Sequence, residues 1–223
     1  MRGVVTVSAA FGAGGSEIGP AVARALELPF VDRAIPAAVS RKLGISLADA
    51  EEQDEKVDTG LWRIVSSMAF VPDLGGAGAL AQSALTDERL FQQQTEQVLH
   101  EVAERQGGVV LGRAGAIVLA DVEPALHVRL TGGVQARIAG HMARTGVDRK
   151  TAEHEVRSND SAREAYVKHL YRCDATDSKH YHLVIDTTSL PWDVVTDIIV
   201  TAARARGVHA DDDWARGTTS HAS

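Results

Sequence analysis

Residues 7–19 read VSAAFGAGGSEIG, and this stretch decides the fold. The apolar run GVVTV at 3–7 leads into it, and the sequence PAVARALEL at 20–28 follows it. A short β-branched run predicts a buried strand, and apolar residues that recur every four positions predict a helix. The stretch is therefore predicted to be a strand, a glycine-rich loop and a helix, which is the setting in which many proteins cradle phosphate.

The loop itself is only half of a standard phosphate loop, whose motif is G-x-x-x-x-G-K-S/T. When Gly14 is aligned with the second glycine, Ala9 takes the first glycine's place and Gly15 the lysine's, while Ser16 keeps the hydroxyl. Several glycines still allow backbone N–H groups to converge at the start of a helix, where the partial charge is positive. The alternative is a tight turn whose glycines only permit close packing. The candidate nucleotide-binding residues are Gly12, Ala13, Gly14, Gly15 and Ser16.

Composition excludes several classes of protein. The chain has 223 residues, 44% of them hydrophobic, and a net charge of −7, so nucleic acid is not expected as a principal ligand. Its single cysteine, Cys173, excludes an intramolecular disulfide and suits a reducing compartment. The sequence shows neither an apolar run long enough to span a bilayer nor a signal-peptide pattern at its start. We therefore expect a cytoplasmic protein that does not engage a membrane.

Predicted strands alternate with predicted helices along the chain. Because several strands are apolar throughout, they predict an α/β fold with a parallel sheet covered by helices on both faces. In such sheets ligands bind beyond the carboxyl ends of the strands, where the loops 8–15 and 112–116 are expected to meet. The predicted strands are 2–8, 29–32, 109–112, 125–130 and 182–188, and the clearest helices are 16–27, 86–106, 133–145, 151–172 and 191–206.

The second half of the chain is rich in arginine. Arg113 directly follows the predicted strand 109–112, so it is expected at the rim of the same crevice. Arg137 and Arg144 are seven residues apart on one predicted helix and should share nearly one face.

The next predicted helix carries Arg157, Asp160 and Arg163 at positions i, i+3 and i+6, which we expect to form one stripe. A charged helix face is more often simply solvated than functional. The charges alone therefore do not establish a phosphate site.

Five segments together resemble the cytidylate kinase family of the nucleoside monophosphate kinases. HLVIDTTSLPWDVV at 182–195 resembles that family's final strand, Asp-Thr-Thr turn and helix start, and DSAR at 160–163 resembles its lid segment. GRAG at 112–115 and PFVDRAI at 29–35 resemble two further segments in the expected order. FGAGGSEIG at 11–19 is similar to the loop of a divergent branch that lacks the lysine.

The resemblance implies a P-loop kinase-like domain over residues 1–206. It further implies a helical insertion for the nucleoside monophosphate at about 36–106 and an arginine-rich lid at about 140–175. Residues 207–223 are polar and are expected to be a disordered tail. The oligomeric state is left open, and a homodimer is compatible with the sequence.

By the same resemblance, the protein moves the terminal phosphate of ATP to a nucleoside monophosphate such as CMP or dCMP, or to another small-molecule acceptor. Mg²⁺ would lie near Ser16. Arg163 corresponds to the lid arginine on the transferred phosphate and Asp160 to the acid beside it. The remaining residues expected to take part are Arg157 in catalysis and Arg113, Asp32 and Arg137 in acceptor or phosphate binding.

Three departures from the family pattern keep a second interpretation open. Gly15 removes the lysine, Ala9 removes the first glycine, and Ala114 replaces an acid associated with the acceptor. A catalytically weak or inactive protein that binds nucleotide and regulates a partner would tolerate all three. ATP binding without turnover would select this alternative.

Overall fold

The structure is a computed structural model that describes residues 3–31, 92–112 and 114–209. Within these residues five strands form one sheet in the order β2-β3-β1-β4-β5, and every neighbouring pair is parallel. The predicted parallel α/β fold is confirmed. The strands are β1 (Val4–Ala9), β2 (Phe30–Val31), β3 (Gly108–Leu111), β4 (Ala125–Thr131) and β5 (Leu183–Asp186).

Helices lie close to their predicted positions. The longest in the described ranges is α5, and a single 3₁₀ turn, Ser178–His180, precedes β5. None of the described helices has the combination of length and apolar character that crossing a bilayer would require. The helices are α1 (Gly15–Leu26), α2 (residues 92–105), α3 (Gly115–Val118), α4 (Val134–Thr145), α5 (Arg149–Tyr171) and α6 (Trp192–Ala205).

The central strand β1 is buried on both faces because its side chains alternate between two cores. Val5 and Val7 pack with apolar residues of α1 and α6. Val4, on the other face, packs with apolar residues of α2 and with residues that adjoin α3 in the chain. This alternation confirms the prediction that helices cover both faces of the sheet. It also places the loop after β1 at the middle of the sheet's carboxyl edge.

The helices α4 and α5, which cover most of the predicted lid, pack against each other around a small separate core. Ile138, Ala152 and Val156 are fully buried there, and Phe11 from the loop after β1 packs against them. The glycine loop is thereby joined to the lid by an apolar contact. Movement of the two helices away from the sheet would have to break this contact.

A buried histidine, His127, and an exposed one, His182, lie together on the sheet face that carries α2. His127 of β4 is within 2.8 Å of the Thr6 hydroxyl through Nδ1, and its ring stacks on His182 at 4.9 Å. Burial, followed by the positive charges of His182 and Arg206, lowers the pKa of His127 to about 4. His127 is therefore a neutral part of the core at neutral pH.

The structure corrects the predicted start of α1, and two predicted site residues lie outside the described part of the chain. Helix α1 begins at Gly15, one residue before its predicted start at 16, and its N-cap is Gly14 in a left-handed conformation. The Ser16 hydroxyl donates a hydrogen bond to Glu17. Asp32, Arg113, most of the predicted insertion and residues 210–223 of the predicted tail lie outside the described residues.

Candidate functional site

A crevice of about 800 Å³ opens at the carboxyl ends of the central strands. Its lining includes residues 8–12 and 14–17 after β1, residues 112 and 114–117 after β3, and side chains from α4 and α5. The two loops predicted to meet at this edge do so. A cavity of this size accommodates a small-molecule ligand of nucleotide dimensions.

The glycine loop has backbone geometry that requires glycine at two positions. Gly12 has φ 80° and Gly14 has φ 79°, both in the left-handed region that side chains disfavour. Gly14 is constrained a second time, because a Cβ there would lie 2.8 Å from Cε2 of Trp192. The indole therefore packs directly on the backbone at the start of α1.

Every carbonyl of the loop from residue 9 to residue 13 accepts a hydrogen bond. Three of the five donors are arginines of the lid helices, and a fourth is the buried hydroxyl of the Asp-Thr-Thr turn. Such bonds fix the direction of each peptide group in the loop. The pairs are Arg163 Nη1 to Ala9 O (2.9 Å), Ala13 N to Ala10 O (3.0 Å), Arg137 Nη1 to Phe11 O (2.8 Å), Arg144 Nη2 to Gly12 O (3.3 Å) and Thr187 Oγ1 to Ala13 O (3.0 Å).

Unlike the carbonyls, most amide N–H groups of the same loop make no hydrogen bond with the described residues. Within the described part of the chain, the N–H groups of Gly12, Gly14, Gly15 and Ser16 meet no hydrogen-bond acceptor. Gly14 and Gly15 are buried, and a buried amide without a partner costs about 1–3 kcal/mol. Unused amides at a helix N-terminus are the arrangement that binds anions in other proteins.

The missing lysine has a steric explanation. A Cβ on Gly15 would lie 2.7 Å from Cβ of Ala9 and 3.1 Å from Cδ1 of Leu111. Ala9 stands where the standard motif has its first glycine. The methyl group at position 9 thus occupies the space that a side chain at position 15 would need, so the two departures from the motif belong to one contact.

Four arginines of the described residues line the crevice and supply the positive charge that the loop lacks. The guanidinium of Arg163 lies 5.8 Å from the ring of Phe11, and that of Arg144 lies 5.2 Å from the ring of Trp192. Arg144 shares a face with Arg137, which the seven-residue spacing had indicated. Arg129 was missed, because an arginine inside an apolar strand pattern gives no signal of the loop beside it. The four are Arg129, Arg137, Arg144 and Arg163, and the carboxylates lining the same space are Glu17, Asp160 and Glu164.

Arg137 and Asp160 hold the loop. The guanidinium of Arg137 is 5% exposed and donates to Asp160 Oδ2 at 2.8 Å and to Gly132 O at 2.9 Å. Asp160 Oδ1 accepts from the N–H of Phe11 at 2.8 Å, while Arg137 donates to the carbonyl of that same residue. The pair therefore hydrogen-bonds to both the N–H and the carbonyl of Phe11. Its observed contacts are with the loop, and its predicted contact with a ligand stays a prediction.

Arg157 is not at the crevice, which corrects its placement in a shared stripe with Asp160 and Arg163. Its side chain is 63% exposed and its partner is Glu153, with Nη2 and Oε1 3.3 Å apart. Each step of three residues rotates a helix position by about 60° away from the previous one. Two such steps separate Arg157 from Arg163, so one of them faces solvent when the other faces the loop.

The start of α1 offers oxygen ligands for a divalent cation. Ser16 Oγ donates to Glu17 Oε2 at 2.8 Å, and both side chains are exposed to the crevice. Among the described residues no three His, Cys, Asp or Glu side chains cluster as a metal site. Mg²⁺ usually takes one or two protein oxygens together with phosphate oxygens and water, so this pair fits a nucleotide-bound Mg²⁺.

Comparison with known proteins agrees with this geometry. The model of the cytidylate kinase-like family matches residues 4–189. A uronate isomerase of Corynebacterium glutamicum is 31% identical over 132 residues, which are 59% of this chain but only 25% of that protein. The chain thus spans about a quarter of the length of that curated relative.

One solved structure shares the architecture, and a second gives a lower TM-score. An uncharacterized protein from Eubacterium ventriosum superposes with a TM-score of 0.63 at 17% identity, covering 91% of this chain and 99% of that one. A gluconokinase from Sinorhizobium meliloti gives a TM-score of 0.49 at 15% identity, covering 97% and 98%. The first similarity shows that the fold recurs in a protein of nearly the same extent.

Proposed function

Because this chain belongs to the cytidylate kinase-like family, we propose that it transfers the terminal phosphoryl group of ATP to a nucleoside monophosphate such as CMP or dCMP. The observation that carries the proposal is the loop after β1. All carbonyls from residue 9 to residue 13 are held, and four amides at residues 12, 14, 15 and 16 are left for an anion. A turn built only for packing would have no need to hold its carbonyls from two other helices.

The donor nucleotide would lie with its phosphates on these amides. Its base would use the flat surface that Trp192 and the guanidinium of Arg144 form beside Gly14. Ser16 and Glu17 would hold Mg²⁺, which neutralises charge on the phosphate oxygens when it is bound.

The transfer step asks mainly for position and for positive charge around the phosphoryl group. The acceptor oxygen forms a bond to the terminal phosphorus while the bond to the bridging oxygen breaks, and ADP leaves. An acceptor phosphate that is already ionised has no proton to lose. Arg163, which now donates to Ala9 O at 2.9 Å, is placed to exchange that carbonyl for an oxygen of the transferred group.

A turnover assay tests the proposal. Purified protein is given ATP, Mg²⁺ and each common nucleoside monophosphate in turn, and ADP release is measured. At least one acceptor should be phosphorylated, and Arg163→Ala should lower kcat by about 100-fold or more. Arg157→Ala is the matched control, since it removes an exposed arginine of the same helix and should leave kcat unchanged. An inactive panel would refute the proposal.

The alternative, a nucleotide-binding protein with little or no turnover, is favoured by one observation. The contact between positions 9 and 15 leaves no room for the lysine that usually reaches the terminal phosphates. In that case ATP binds, the panel gives no ADP, and Arg163→Ala changes only the affinity for ATP.

A further inference from the structure

A second group of polar side chains lies in the crevice, away from the glycine loop. Ser8 of β1 is paired with Arg129 of β4. Ser8 is the residue directly before the first loop carbonyl, that of Ala9. Along β1, Ala9 points toward Gly15 of α1, so its neighbour Ser8 points to the opposite face of the sheet. This part of the crevice is bounded by Tyr181 and by the segment that follows α5.

Two hydrogen-bond donors converge there on the same two oxygen atoms. Arg129 Nη1 is 3.4 Å from Ser8 Oγ and 2.9 Å from the carbonyl of Ala175. The hydroxyl of Tyr181 is 3.4 Å from the same Ser8 Oγ and 2.7 Å from the same carbonyl. The guanidinium carbon of Arg129 lies 5.7 Å from the centre of the Tyr181 ring, so the ring faces the cation.

Holding the chain in place does not require the charge of Arg129. The Ala175 carbonyl already accepts from Tyr181 at 2.7 Å, and a neutral donor suffices for a carbonyl. A guanidinium has five N–H donors, and among the described residues only Nη1 of Arg129 makes hydrogen bonds. No carboxylate in the described ranges forms an ion pair with it.

Asp174 is the carboxylate whose pKa the charge of Arg129 affects, but its hydrogen bonds are made with Thr176. Its Oδ1 accepts both the N–H and the hydroxyl of Thr176, each at 2.7 Å. These bonds lower the pKa of Asp174, and the charge of Arg129 contributes least. Arg129 is thus a half-buried cation that faces a cavity with most of its donors still to be used.

We propose that Arg129, with the hydroxyl of Ser8, binds an anionic oxygen group of the acceptor substrate. The proposal rests on the proposed function and adds a residue that recognises the acceptor. The group is a phosphate or a carboxylate, since guanidinium binds both through paired N–H donors.

The position suits an acceptor better than a donor. The unused amides belong to the glycine loop and the first turn of α1, whereas Arg129 and Ser8 lie on the face of the sheet opposite α1. Arg163 donates to the carbonyl of Ala9, the residue between these two sites. The crevice therefore offers two sites for anions with a lid cation at their boundary, as transfer between two anionic substrates requires.

The test uses the full chain with its donor site filled. The protein is first saturated with Mg²⁺ and the non-hydrolysable analogue adenylyl imidodiphosphate, and inorganic phosphate or acetate is then titrated by calorimetry. Arg129→Gln should weaken binding of the preferred anion by about 10- to 100-fold and leave the analogue's affinity within about twofold. Arg129→Lys should bind the anion more weakly than the wild type and more tightly than Arg129→Gln, because it keeps the charge but loses the paired N–H donors. Arg149→Gln, which removes an exposed arginine bonded to Gln135, is the control and should change nothing.

The outcomes separate the two proposals. If the wild-type protein fails to bind the analogue, the proposed function fails. If the analogue binds but neither anion does, or if Arg129→Gln leaves anion binding intact, the acceptor site is refuted. If Arg129→Gln weakens the analogue as much as the anion, Arg129 belongs to the donor site and the inference is again wrong. Preference for phosphate agrees with both proposals, whereas preference for acetate would keep the anion site but exclude a nucleoside monophosphate as the acceptor. If thermal unfolding shows Arg129→Gln misfolded, weakened anion binding by Arg129→Lys supports the acceptor site and unchanged binding refutes it.

Discussion

Replacing Gly15 by alanine tests whether the methyl group of Ala9 is what excludes a side chain from the lysine position. The new Cβ would lie 2.7 Å from the Ala9 Cβ, and neither atom can move without its backbone. Overpacking of this kind costs about 1–3 kcal/mol. Alanine's better helix propensity at the first position of α1 returns less than about 1 kcal/mol. We therefore expect Gly15→Ala to lower the free energy of unfolding by about 1–2 kcal/mol.

A double-mutant cycle isolates the contact. Ala9→Gly alone should cost about 0.5–1 kcal/mol, because it removes a partly buried methyl group and frees the unfolded chain. In the double variant the crowding is gone, so the two changes should couple favourably by about 1–2 kcal/mol. Unfolding in urea, followed by circular dichroism for all four proteins, measures this coupling.

The control cycle pairs Ala9→Gly with Gly133→Ala. Gly133 has φ −56°, and a Cβ there meets nothing within 4 Å, so this pair should be additive within about 0.5 kcal/mol. If the Ala9–Gly15 cycle is equally additive, the steric explanation of the missing lysine is wrong. If it couples as expected, Gly15→Lys should be tolerated with Ala9→Gly and not without it.

Three further changes probe other parts of the molecule. Between pH 6.5 and 4, His127 is protonated in the unfolded chain but stays neutral in the folded protein. The free energy of unfolding is therefore highest above this pH range and falls by up to about 3 kcal/mol as the pH drops through it. His127→Gln should flatten the urea-unfolding profile over this range, and an unchanged slope would contradict the assignment. Gly14→Ala should destabilise the fold and weaken ATP binding, because its Cβ meets Trp192 at 2.8 Å and its φ is 79°; unaltered ATP affinity in calorimetry would discredit the loop. Asp160→Asn should cost about 2–3 kcal/mol, since it leaves the 5% exposed Arg137 without its carboxylate; a loss of turnover at full stability would instead give Asp160 a direct catalytic role.

The sequence predicted the elements well because their signals are local. The run of β-branched residues before the loop and the four-residue spacing after it are properties of neighbouring residues, and β1 and α1 follow them. The helix start was placed one residue late, since serine is the usual cap and a left-handed glycine did the same task. Parallel pairing followed from strands that are apolar on both faces.

The site was harder to predict because it depends on contacts between distant segments. Helical spacing groups Arg157 with Arg163, but only the packing of α5 decides which of the two faces the loop. The exclusion of lysine depends on the methyl group of Ala9, which lies where a Cβ of residue 15 would need space. The sequence gives no sign that Arg129 belongs to the site, because only the strand register places it beside Ser8.

A phosphate loop without its lysine changes where the positive charge comes from. A lysine in the loop would be part of the loop itself, whereas Arg137 and Arg144 belong to α4 and Arg163 belongs to α5. These helices share a core with Phe11, so the packing of the lid and the shape of the loop depend on each other. If the loop binds ATP as proposed, its affinity must therefore vary with the stability of the lid. If Arg163 reaches the transferred phosphate as proposed, it must first release the carbonyl of Ala9, and this hydrogen bond sets part of the cost of entering the reactive state.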